Sequence, residues 1–120
     1  MSAGKNDVTI FHNPRCSKSR QTLALLEGQG IVPTVVEYLK TPPAANEIGS
    51  ILSLLGMKPR DLMRKKEAPY AENKLDDAAL DDTTLIKAMH DYPALIERPI
   101  VLANGKAAIG RPPEDVLEIL

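Results

Sequence analysis

A strand–helix–strand unit at the start, a hairpin and helix at the end, and amphipathic helices between them predict an α/β fold. The first strand is Val8 to Phe11, an apolar run that stops at a polar loop beginning with His12. The first helix starts at Ser17 or Ser19 and runs to Glu27, with Leu23 and Leu26 one turn apart. Gly28-Gln29-Gly30 is its stop signal. A β-branched run from Pro33 to Leu39 follows and is ended by Thr41-Pro42-Pro43. Strands joined in this way pair in parallel through a right-handed crossover.

The middle of the chain is helical. Ile48, Ile51, Leu52 and Leu55 recur at helical spacing and form an apolar stripe closed by Gly56. A short helix is expected around Pro59 to Lys65, then a polar stretch through Lys74. Another helix starts at Asp81 or Asp82, carries Leu85, Ile86 and Met89, and ends at Tyr92-Pro93. Met57, Met63 and Met89 occupy apolar positions and read as core filler, and His90 reads as surface. Pro99 to Ala103, Asn104-Gly105, and Lys106 to Ile109 read as a hairpin with a strong two-residue turn signal. Arg111-Pro112-Pro113-Glu114 opens a last helix whose apolar side is Val116, Leu117, Ile119 and Leu120. The order βαβ, a helical insert at about 44–95, then ββα is the plan of a thioredoxin-like (glutaredoxin-like) domain, here a single one over residues 1–120.

Composition removes several classes of function. Fifteen basic and sixteen acidic side chains leave a net charge of −1, so no nucleic-acid or membrane surface is indicated. With 3% aromatics and no Trp, a base-stacking platform has few candidates. One cysteine cannot close an internal disulfide, the first residues lack an apolar signal core, and no apolar run reaches membrane-spanning length. The expectation is a cytoplasmic protein. One cysteine and two scattered histidines, His12 and His90, make no zinc cluster, so no metal is expected.

The chemistry concentrates in His12-Asn13-Pro14-Arg15-Cys16-Ser17-Lys18-Ser19-Arg20. A lone cysteine is commonly an inert, buried small hydrophobe. Cys16 instead lies at a strand-to-helix turn with cations on both sides, where free N–H groups and the helix dipole favour the thiolate nucleophile. His12 is either a structural hydrogen-bonder or a group that lowers the Cys16 pKa. Arginines stand at element edges: Arg15, Arg20, Arg64, Arg98 and Arg111. Arg98 and Arg111 flank the hairpin, which brings two guanidinium forks to one sheet end. Such forks suit an oxyanion. A thiolate meeting an anion at ~4 Å faces on the order of 4 kcal/mol of repulsion at an effective dielectric near ~20, which nearby cations offset.

These residues resemble the glutaredoxin-linked arsenate reductases of the ArsC type, in their shorter branch. The resemblance covers nearly the whole chain. It rests on His12 to Arg20, Leu39-Lys40-Thr41-Pro42-Pro43, Leu62-Met63-Arg64-Lys65-Lys66-Glu67, Glu97-Arg98-Pro99-Ile100-Val101 and Ile109-Gly110-Arg111-Pro112-Pro113-Glu114. It implies Cys16 as nucleophile, His12 as the loop histidine that helps set its pKa, and Arg64, Arg98 and Arg111 as substrate-binding residues. Pro99 matches the position held as a cis proline. The implied substrate is arsenate, glutathione is the co-substrate, glutaredoxin is the recycling partner, and no cofactor is bound. The loop departs from the Cys-Gly-Thr-Ser-Arg of the well-studied enzymes, since Cys16-Ser17-Lys18-Ser19-Arg20 carries an extra charge.

Two other readings stay open at this level. Cys16-Ser17-Lys18-Ser19 is a Cys-x-x-Ser pattern similar to monothiol glutaredoxins, which fits a glutathione-dependent monothiol oxidoreductase. The fold also includes Spx-type regulators that bind RNA polymerase, although Ser19 excludes the Cys-x-x-Cys switch many of them carry.

Overall fold

Ile10 pairs with Val35 on one side and with Val101 on the other, at the middle of a four-stranded sheet. In this computed structural model, which describes residues 7–120, the strands are β1 (Thr9–Phe11), β2 (Thr34–Val36), β3 (Ile100–Ala103) and β4 (Lys106–Ile109). Their order is β2-β1-β3-β4, with β1 parallel to β2 and antiparallel to β3, and β3 antiparallel to β4. The expectations for Met1–Asn6 lie outside the described residues. Two compact units are distinguished, one of residues 7–41 with Arg98–Leu120 and one of Pro42–Glu97.

The first unit holds the sheet, helix α1 (Ser17–Gly28) and a 3-10 helix at Pro113–Ile119. Val8, Ile10, Val101 and Ala103 form one apolar face, and Leu26, Ile31, Val116 and Ile119 pack against it. Burying each such Leu, Ile or Val contributes about 1.5–3 kcal/mol. The hairpin turn is as expected: Asn104 and Gly105 both take positive φ, 55° and 71°. Arg98-Pro99 is cis, and so is Arg111-Pro112, which sequence reasoning did not anticipate.

The second unit is helical. Helix α2 (Ala45–Leu55) buries Ile48, Ile51 and Leu52 and ends at Gly56, which takes the left-handed conformation at φ 66°. It packs on the later helix Asp82–Asp91, whose N-cap Asp81 accepts from the N–H of Thr84. His90 is exposed, and Nδ1 of its ring bonds the carbonyl oxygen of Pro43 at 2.9 Å.

Four expectations need correcting. Helix α3 (Ala68–Glu72) lies in what read as a polar stretch; none of its five residues is buried, so no apolar stripe marks it. Asp82–Asp91 is therefore α4. The Pro59–Lys65 helix is only a 3-10 turn at Pro59–Leu62, since Met63 turns extended and bridges to Ile96. Strand β2 is shorter than Pro33–Leu39, because turn bonds from Lys40 and Thr41 to the Glu37 carbonyl end it. The last helix is 3-10, with Val116 and Ile119 buried three residues apart while Leu117 and Leu120 are exposed.

Candidate active site

Cys16 is the N-cap of α1, in extended conformation at φ −95° and ψ 122°. The loop before it is closed by its own polar groups. The N–H of Cys16 donates to the Asn13 carbonyl (3.0 Å), the N–H of Arg15 to Asn13 Oδ1 (3.0 Å), and Arg20 Nη1 to the Pro14 carbonyl (3.0 Å). The N–H of His12 donates to the Val36 carbonyl of β2 (2.8 Å), tying the start of the loop to the sheet. This is an Asx-type turn leading into a helix, a local structure that Asn is suited to build.

Ser19 lies beneath the loop and is fully buried. Its Oγ accepts the N–H of Asn13 at 3.0 Å and is 2.6 Å from Nδ1 of His12. Burial holds the His12 pKa below its ordinary value; the charge of Glu37 opposes this and that of Arg20 adds to it. The imidazole is therefore neutral near pH 7.

Two guanidinium groups meet the sulfur from the hairpin side. Arg111 Nη2 donates to Cys16 Sγ at 3.6 Å, and its Nε donates to the carbonyl of Arg98 at 2.8 Å. Burial pushes the Cys16 thiol up. The N–H of Ser19, the hydrogen bond and charge of Arg98, and the N–H of Lys18 together outweigh it, and the thiol sits below its ordinary value. No cap hydrogen bond to the sulfur is formed in the geometry seen, so the two N–H groups act on it as the aligned dipoles of a helix start. A depressed thiol pKa beside two cations is the setting in which cysteine becomes a nucleophile toward anions.

A family comparison matches the ArsC family over residues 11–119, which spans the thiol loop, the hairpin and both cis prolines. The chain belongs to the ArsC family. It is 58% identical to "Uncharacterized protein YfgD" of Escherichia coli over 94% of this chain and 96% of that one. It is 53% identical to the arsenate reductase of Neisseria meningitidis over 95% of this chain and 98% of that one. The solved arsenate reductase from Vibrio cholerae superposes with a TM-score of 0.93 at 54% identity, covering 96% of this chain and 98% of that structure. The fold is thioredoxin-like, as the element order predicted.

Of the residues singled out in this ArsC sequence, Cys16, Arg98 and Arg111 come together in the first unit, and His12 bonds the side chain of Ser19, three residues after Cys16. Arg64 belongs to the second unit. There its Nη1 bonds Glu97 at 2.7 Å, its Nε lies 3.5 Å from Glu67, and its N–H donates to the Leu95 carbonyl at 2.6 Å. Sequence reasoning gave no role to Asn13, and used Ser19 as a possible helix start and as the last residue of the Cys-x-x-Ser pattern but not as a support for His12. The available signal was their type: short side chains with oxygen acceptors beside a helix start.

Proposed function

We propose that this ArsC protein reduces arsenate, with Cys16 as the covalent nucleophile. The observation that carries this reading is a guanidinium nitrogen of Arg111 at 3.6 Å from a lone cysteine whose pKa is lowered. Arg98 and Arg111 bind the oxyanion and offset its repulsion by the thiolate. Arg64 is included on the family resemblance, and Arg64→Ala in the assay below is its test. His12 is a positioning residue that fixes Ser19, and so the helix start, around the sulfur.

In the first step the Cys16 thiolate attacks arsenic, an S–As bond forms, and an oxygen leaves as hydroxide or water. Glutathione thiolate then attacks the Cys16 sulfur. The S–As bond breaks, its electron pair stays on arsenic, arsenic(V) becomes arsenic(III), and arsenite leaves. The two sulfurs lose those two electrons and form a Cys16–glutathione disulfide. Since Cys16 is the only cysteine of the chain, the second sulfur must come from outside. Glutaredoxin opens the mixed disulfide by thiol exchange and restores the thiolate. The setting is the cytoplasm, where the thiol pool is reduced.

The test is purified protein with arsenate, glutathione, glutaredoxin and an NADPH-coupled readout. Arsenate-dependent consumption that needs both thiol components is the expected result. Without glutaredoxin, mass spectrometry should find one glutathione on Cys16. No arsenate-dependent consumption, or sustained turnover with thioredoxin as the only thiol, contradicts the scheme. Activity on a glutathione mixed disulfide without arsenate activity favours the monothiol oxidoreductase instead. Polymerase subunits captured by a catalytically silent protein favour the Spx-type regulator.

A further inference from the structure

Gly110 is buried, directly follows β4, and donates its N–H to the Pro99 carbonyl at 3.0 Å. Among the described glycines it alone has no room for a side chain. A Cβ there would lie 2.8 Å from Cγ of Pro99 and 3.1 Å from Cγ2 of Thr22, with Thr22 Oγ1 nearer still. The requirement is one of space and not of torsion, because the positive-φ glycines are Gly30, Gly56 and Gly105. Neither neighbour can swing aside. Pro99 is a ring, and Thr22 is fully buried in α1 with its hydroxyl donating to the Lys18 carbonyl at 2.8 Å. A methyl group at 110 must therefore move backbone.

That backbone carries Arg111, the next residue, whose Nη2 reaches Cys16 Sγ. Thr22 belongs to the helix that Cys16 caps. The close approach of Gly110 to Thr22, which leaves no space for a Cβ, thus joins the two pieces of chain that bear the guanidinium and the sulfur. We infer that Gly110 is a positioning residue: by lacking a Cβ it lets the end of β4 close on α1 at Thr22, and so sets Arg111 against Cys16. The inference rests on Arg111 acting on the Cys16 thiolate, as in the proposed function, but not on which oxyanion is reduced.

The test reads that pairing without arsenate. Iodoacetate is an anion and iodoacetamide is neutral, so the ratio of their alkylation rates at Cys16 reports the positive charge at the sulfur. The wild type should show a raised preference for iodoacetate, and Arg111→Ala should lose it. Gly110→Ala should lower it by about two- to five-fold, the change expected when an exposed guanidinium retreats by about an ångström. Gly110→Ala combined with Thr22→Ala, which removes both Thr22 contacts, should recover part of the loss. If Gly110→Ala does not accumulate folded, Thr22→Val applies a smaller push from the helix side, since a methyl group replaces the hydroxyl, and should lower the preference less. Wild-type preference in a folded Gly110→Ala or Thr22→Val protein overturns the spacer role. So does a double variant no better than the single one, or an Arg111→Ala protein that keeps the preference. Absence of arsenate reduction leaves these outcomes readable.

Discussion

Both units bury apolar side chains, and they differ in what else they bury. His12, Asn13, Ser19 and Thr22 are the buried polar residues among those described, and all four lie in the thiol loop and α1. The insert, Pro42–Glu97, buries Ile48, Ile51, Leu52, Leu62, Met63, Leu75, Leu85, Met89, Leu95 and Ile96, with its charges at the surface or half-buried. Buried polar groups cost free energy unless they are bonded, and a fully bonded set of them holds one geometry rigidly. The loop fixes one sulfur in one place, whereas apolar packing in the insert tolerates similar shapes.

The sharpest break in this comparison is Cys16→Ser. Arsenate reduction should vanish while the melting temperature changes little, and full activity in that variant would end the mechanism. Next, Leu85→Ala in the insert should cost about 2–5 kcal/mol of stability, read by urea unfolding, through lost burial and a cavity. Ser19→Ala should cost less, about 1–3 kcal/mol, by leaving the Asn13 N–H without its acceptor. Only the Ser19 change should also shift the alkylation midpoint of Cys16; equal shifts from both variants would erase the distinction between the units.

Arg98→Ala and Arg111→Ala should each weaken arsenate binding by about tenfold to a hundredfold, the scale of a charge-assisted hydrogen bond. Lysine should rescue only in part, since it lacks the bidentate fork. Unchanged affinity in both alanine variants would place the anion elsewhere. The smallest effect concerns His12. Burial lowers its folded pKa, so on acidification the unfolded chain takes the proton first. Stability should therefore decline as pH falls below about 6.5, the ordinary value, and level off below the folded value. In His12→Gln that part of the slope should disappear; an unaltered slope would mean that His12 is not buried as a neutral ring.

How much of this was legible in the sequence follows the same division. The strand patterns, the Asn104-Gly105 turn and the stripe of α2 depend on local periodicity and turn chemistry, and the structure has them in place, with β2 shortened to Thr34–Val36. Helix α3 has no buried residue, so it leaves no periodic apolar trace in the sequence. In the last helix the four apolar residues Val116, Leu117, Ile119 and Leu120 do not by themselves separate α from 3-10, whereas burial selects Val116 and Ile119 at a spacing of three. At the site, Cys16, Arg98 and Arg111 could be singled out because thiol and guanidinium chemistry shows in residue type. The supports could not be paired in this way: that Ser19 bonds His12 and that Gly110 closes on Thr22 are matters of tertiary geometry, and residue type does not name the partner.

The central claim is that Cys16 is held ionised by the helix start and the hairpin arginines. The pH dependence of Cys16 alkylation by iodoacetamide, in wild type and in Arg98→Ala, tests it most directly. The predicted result is a wild-type midpoint below about 8.5, the free-thiol value, that moves upward in Arg98→Ala. A wild-type midpoint at or above about 8.5, or one that Arg98→Ala leaves in place, would contradict it.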